Sequence, residues 1–114
     1  MAVFNGAFPI LPGKMEAARA FAKETMGAER SGFDELQKRG GVTRETWSFQ
    51  EMPDGSAVVL VWFESPDPDK TFAELAQDSS DFAVWFRGKV QELNGFDLAD
   101  PPEGGPELVL DWEA

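Results

Sequence analysis

The chain contains no cysteine, no histidine and no tyrosine. Without Cys there is no disulfide, no thiol nucleophile and no zinc-thiolate site. Without His there is no imidazole base, no Ser-His triad and no His-ligated haem or zinc. Positive charge is scarce: ten Lys+Arg face 21 Asp+Glu, a net charge of −11. That balance argues against nucleic acid and against anionic membrane surfaces as partners. No apolar run approaches the roughly 18 residues a spanning helix needs. The first residues, Met1-Ala2-Val3-Phe4-Asn5-Gly6, carry neither a basic n-region nor an apolar h-region, so no signal peptide is expected and the cytoplasm is the expected location.

What is present is a globular composition, 42% hydrophobic and 27% charged over 114 residues. That suits a single domain spanning 1–114 with one real core. Ten Phe and four Trp are more aromatics than one small core is expected to hold, which already suggests a second copy of the chain. The charge is uneven. Residues 1–39 carry six basic and five acidic groups, whereas residues 40–114 carry four and sixteen, with no basic residue after Lys89. The acidic part reads as a solvated surface.

Residues 2–11 alternate as a strand, with Phe4, Phe8 and Ile10 on one parity and Val3, Asn5 and Ala7 on the other; Pro12-Gly13 ends it. Over 14–39, Met15, Ala18, Ala22, Met26, Phe33 and Leu36 recur at helical spacing, with a break expected between Gly27 and Gly32 and a stop at Gly40-Gly41. A second strand over 43–51 and a third over 57–64 flank the turn Met52-Pro53-Asp54-Gly55. Asp67-Pro68 opens a helix, Ser79-Ser80-Asp81 interrupts and recaps it, and Asn94-Gly95 closes it. Asp100 to Pro106 reads as a rigid loop. Residues 107–112, Glu-Leu-Val-Leu-Asp-Trp, read as a last strand. The expected architecture is therefore α+β: a ferredoxin-like βαββαβ sandwich, with a four-stranded antiparallel sheet and the helices on one face.

The hairpin fixes a register. A type I turn with a left-handed Gly pairs Met52 with Ser56, so Phe49 faces Val59 and Trp47 faces Val61. One face then holds Trp47, Phe49, Ala57, Val59, Val61 and Phe63 and belongs under the helices. The other holds Arg44, Thr46, Ser48, Gln50, Val58, Leu60 and Trp62, half polar and half apolar. In a monomer this second face meets water. A second copy of the same sheet is its simplest cover.

This βαββαβ order, the Pro12-Gly13-Lys14 step into the first helix and the third strand, apolar on both faces, resemble the dimeric α/β barrel group of ferredoxin-like proteins over nearly the whole chain. A narrower likeness lies in Trp85-Phe86 and Val90, Asn94-Gly95-Phe96-Asp97-Leu98, Pro101-Pro102 and Leu110-Asp111-Trp112. These residues are similar to an uncharacterised bacterial domain family. That family often has His-Gly where this chain has Asn94-Gly95, so any imidazole chemistry of its members does not carry over. The wider group includes monooxygenases without cofactor, muconolactone-type isomerases and haem enzymes, and the fold does not choose among them. A haem held by a proximal His is excluded here.

The carboxylate pairs Asp67/Asp69, Asp78/Asp81 and Asp97/Asp100 read as caps and loop acids. Gly104-Gly105 has no phosphate-loop lysine beside it. No metal site and no cofactor are expected. The candidate ligand-binding residues are Asn5, Arg44, Ser48, Leu60 and Trp62, all on the open face. There a buried Asn needs hydrogen-bond partners and an Arg at the entrance either clamps a carboxylate or bridges to Glu64. The expected protein is a homodimer that binds an apolar or amphipathic small molecule, aromatic or fatty-acid-like. An enclosed pocket with a carboxylate of raised pKa would instead favour an enzyme, a monooxygenase or isomerase. A cavity below roughly 100 Å³, well under ligand-pocket size, would favour a stress-related structural dimer.

Overall fold

The computed structural model describes residues 1–100 and 105–114. Its elements run β1 (Ala2–Ile10), α1 (Met15–Met26), α2 (Arg30–Gly40), β2 (Arg44–Glu51), β3 (Ala57–Ser65), α3 (Pro68–Gln77) and α4 (Asp81–Asn94). The protein is α+β, with a three-stranded antiparallel sheet in the order β1-β3-β2.

Local sequence explains the boundaries. Asp67 caps α3 by accepting from the Lys70 amide, with Pro68 in the first turn, where its missing N–H costs nothing. Ser80 caps α4 by accepting from the Ala83 amide. Gly41 and Gly95 end α2 and α4 in the left-handed conformation, at φ 73° and 79°. The α1–α2 break falls at Gly27, and Gly32 serves a second purpose. A Cβ there would lie 2.7 Å from the Phe82 Cβ, so its absence lets α2 and α4 approach closely. The hairpin register is the expected one, with Phe49 opposite Val59 and Trp47 opposite Val61.

Helices cover one face of the sheet. Under them Phe21, Phe33, Trp47, Phe82, Trp85 and Phe86 form one aromatic cluster and Phe4, Phe8, Phe63, Phe72 and Phe96 a second. Phe49 packs against the same core. Only Trp62 and Trp112 lie outside this layer. The aromatic count therefore does not itself call for a second copy.

Side chains lock the layers together. Asn94 Nδ2 donates to the Pro9 carbonyl at 2.9 Å, and the Leu11 amide donates to Leu93 O at 2.9 Å, tying the end of α4 to β1. Arg87 Nη1 donates to the carbonyls of Leu75 and Asp78, which the end of α3 leaves without helical partners. Thr71 donates to the Gly40 carbonyl at 2.8 Å and lies 2.9 Å from the Ser65 hydroxyl, joining α2, α3 and β3.

The fourth strand is a correction. Residues 105–114 follow no strand pairing, and Leu108, Val109, Leu110 and Trp112 are all exposed. Among the described residues the chain thus builds neither a four-stranded sheet nor the full βαββαβ order. Alternation gives residues 107–112 the habit of a strand, but a strand also needs an edge to pair with. The rigid loop expected at Asp100–Pro106 falls mostly outside the described residues. Among the described residues, no helix is long and apolar enough to cross a membrane.

Candidate functional site

The open face of the sheet is built from cross-strand rows. Asn5, Trp62 and Thr46 form one, and Ala7, Leu60 and Ser48 the next. Val3, Glu64 and Arg44 flank them on one side and Pro9, Val58 and Gln50 on the other. The alternation of each strand puts these residues opposite the helices. The two middle rows line a cleft of about 530 Å³ together with Gly6, Val61 and Pro106.

All five residues singled out from the sequence fall on this face. Asn5, Ser48, Leu60 and Trp62 line the cleft directly. Arg44 stands at its rim, with the guanidinium 6.0 Å from the Trp62 ring centroid, at the outer range of a cation–π contact. Arg44 is opposite Glu64 in register, but the Glu64 carboxylate accepts from the Thr43 hydroxyl at 3.0 Å instead. The polar groups Asn5, Thr46 and Ser48 sit around an apolar centre of Leu60 and Trp62. Leu60 is 42% exposed in the single chain.

A second space lies on the other side of the sheet. Between strands and helices an apolar cavity of about 110 Å³ is lined by Phe8, Phe21, Trp47, Val61 and Phe86 among others. One carboxylate reaches its wall. Glu45 shares the covered parity of β2 with Trp47 and Phe49 and is half-buried. Its Oε1 accepts from Gln37 Nε2 at 3.0 Å and its Oε2 from the Trp47 indole N–H at 2.5 Å. Burial pushes the Glu45 carboxyl above its ordinary value, and these two hydrogen bonds offset that only in part. Sequence reading missed Glu45. The available signal was parity: extending the Trp47 and Phe49 face two residues back reaches an acid.

Glu45 makes stability depend on pH in a definite direction. Its folded-state pKa lies above the unfolded one, so the native chain holds a proton that the unfolded chain has released. The Glu45 contribution to stability is therefore greatest below about 4.5, the ordinary value, falls as pH rises to the folded-state value, and stays lowered above it. Glu45→Gln keeps an acceptor for Trp47 and should remove this decline. Urea unfolding at stepped pH values checks it, and a Gln variant with the wild-type slope would contradict the assignment. Asp78 behaves oppositely. Burial disfavours its charge, but hydrogen bonds from Ser80 and Arg39, with the Arg39 charge, outweigh burial and hold it below the usual carboxylate range.

Among the described residues no group of three acids comes together to hold a metal ion. In comparisons with family models, curated proteins and solved structures, nothing matches this chain.

Proposed function

We propose that the chain is a homodimeric small-molecule-binding protein, with its open sheet faces turned toward each other in the dimeric α/β barrel manner and an apolar or amphipathic ligand held between them. The observation that carries this reading is the cleft of about 530 Å³ lined by Asn5, Ala7, Thr46, Ser48, Leu60 and Trp62. Packed sheets stand about 10 Å apart, a spacing normally filled by interdigitating side chains. Here the middle strand brings Leu60 and Trp62 to the centre of the face, with the smaller Ala7, Thr46 and Ser48 beside them and Arg44 at one rim. The cleft is open to solvent in the single chain, and its lining pairs apolar wall with a few polar groups for orientation.

The test is native mass spectrometry of protein purified from its own host, with light scattering at micromolar concentration. A dimer carrying a co-purified apolar molecule is the expected result. A monomer, or a dimer that neither retains such a molecule nor shows Trp62 fluorescence quenching by an added aromatic or medium-chain fatty acid, would overturn the reading.

Glu45 favours a second reading, an isomerase or cofactor-independent monooxygenase using the interior cavity. A carboxyl whose pKa burial raises, set at an apolar wall, is a candidate proton-transfer group. At about 110 Å³ that cavity falls below the range for drug-sized ligands, which counts against this second reading.

A further inference from the structure

We propose that the interior cavity between the sheet and the helices is a binding site for a small, fully apolar molecule no larger than a single unsubstituted aromatic ring. The cavity lies on the opposite side of the sheet from the open face and needs no second copy, so this goes beyond the open-face reading.

The lining sets the ligand's chemistry. Every element of the fold contributes to the wall, and rings dominate it, Phe21, Phe33, Trp47, Phe63 and Phe86 among them. Ring faces and edges favour another ring or a hydrocarbon. The polar side chains at the wall are already engaged. Glu45 accepts from Gln37 and from Trp47, and Asn94 donates to the Pro9 carbonyl. Thr71 donates to the Gly40 carbonyl, and Arg39 pairs with Asp78 at 2.6 Å. Glu74 is exposed to solvent. Among the described residues no buried side-chain nitrogen or oxygen lacks a hydrogen-bond partner. A polar ligand group would compete with these bonds for its partner, which costs free energy. Water meets the same obstacle, since it needs about two to four polar partners to stay in a cavity.

Size narrows the class further. The cavity holds about 110 Å³. For comparison, an apolar cavity of about 150 Å³ walled by Leu, Ile and Phe stays dry and takes benzene or xenon. The polar lining residues Arg39, Thr71, Glu74 and Asp78 gather where α2 meets the end of α3, and Arg39 and Glu74 are exposed there. That seam is where the cavity reaches solvent and where a ligand enters.

Packing supplies the reason for an occupant. Protein interiors are close-packed, and an empty space of this size costs stability. Here the walls are rings on elements held by Asn94, Arg87 and Thr71, which keeps them from closing on the gap. An apolar molecule restores the missing contacts.

The experiment adds benzene, xenon under pressure, or phenol to the full chain and reads thermal unfolding together with amide and methyl NMR shifts. At ten times its dissociation constant, benzene or xenon should raise the unfolding midpoint by about 5 °C. The NMR shifts should centre on Leu36, Val59, Leu75 and Val90 and be the same at low and high protein concentration. Phenol should bind at least about 10-fold more weakly than benzene, because its hydroxyl finds no free partner. Ala18 is buried at the cavity wall, so Ala18→Leu places its added carbons in the space and should abolish binding. Should that variant fail to fold, Val90→Ile fills less and should weaken binding by about 5-fold. Failure of both benzene and xenon to bind overturns the proposal. So do shifts confined to Ala7 and Leu60 on the open face, phenol binding as tight as that of benzene, or binding undiminished in the filled variant. None of these results overturns the open-face dimer, which fails instead on a monomeric mass in light scattering.

Discussion

Phe86→Ala is expected to destabilise the fold by about 3–5 kcal/mol, the largest loss we foresee for a single substitution. Phe86 is buried on α4, and its ring lies 5.3 Å from Phe21, 5.9 Å from Trp47 and 5.7 Å from Phe82, centroid to centroid. It therefore joins strands and helices in one contact set. It also lines the interior cavity, so deletion enlarges an existing space instead of leaving one that neighbours can fill. The surrounding groups are rings on elements locked by Asn94, Arg87 and Thr71, which limits collapse. Urea unfolding measures the loss. Val84→Ala on the same helix, at a site 56% exposed, should stay within about 0.5 kcal/mol. A Phe86→Ala loss under about 1 kcal/mol would mean that the core closes around the gap, contrary to this packing.

Leu60→Asp should separate dimerisation from folding. In the single chain Leu60 is 42% exposed, so a carboxylate there remains solvated and the melt of dilute protein should hardly change. In the proposed facing-sheet dimer each copy would instead bring an unpaired charge into the interface, with no basic side chain in the rows beside Leu60 to receive it. Dimerisation should weaken by roughly 100-fold or more, the effect of burying an unpaired charge at several kcal/mol. Light scattering should then give half the wild-type mass with an unchanged circular dichroism spectrum. A variant that remains dimeric would show that the copies meet elsewhere.

The two predictions probe opposite faces of the same strands, and the sequence was unequally informative about them. For the covered face, turn chemistry and parity were enough. Pro53 and Gly55 set the hairpin, the hairpin set the register, and the register put Trp47, Phe49, Val59 and Val61 under the helices. The breaks at Gly27 and Ser80 were legible as well, because glycine and capping residues act within a few bonds. The open-face residues Asn5, Arg44, Ser48, Leu60 and Trp62 could be placed on one surface by the same parity. What Arg44 touches could not be, since Trp62 and Glu64 both lie within reach of so long a side chain. Glu45 shows the converse: its parity was legible, but its environment depends on Gln37, from a helix eight residues earlier in the chain.

By itself the sequence determined the absence of imidazole and thiol chemistry, the acidic balance, the element boundaries through β3 and α4, and which side chains share a face. These follow from composition and from local periodicities of two and 3.6 residues. Only the tertiary structure decided that the aromatics fit under one layer of helices, that a cavity lies above Glu45, and that residues 107–112 find no partner in their own sheet. Those outcomes depend on how much surface the broken helices cover and on which strand edges remain free. Both are properties of packed elements, and no local pattern encodes them.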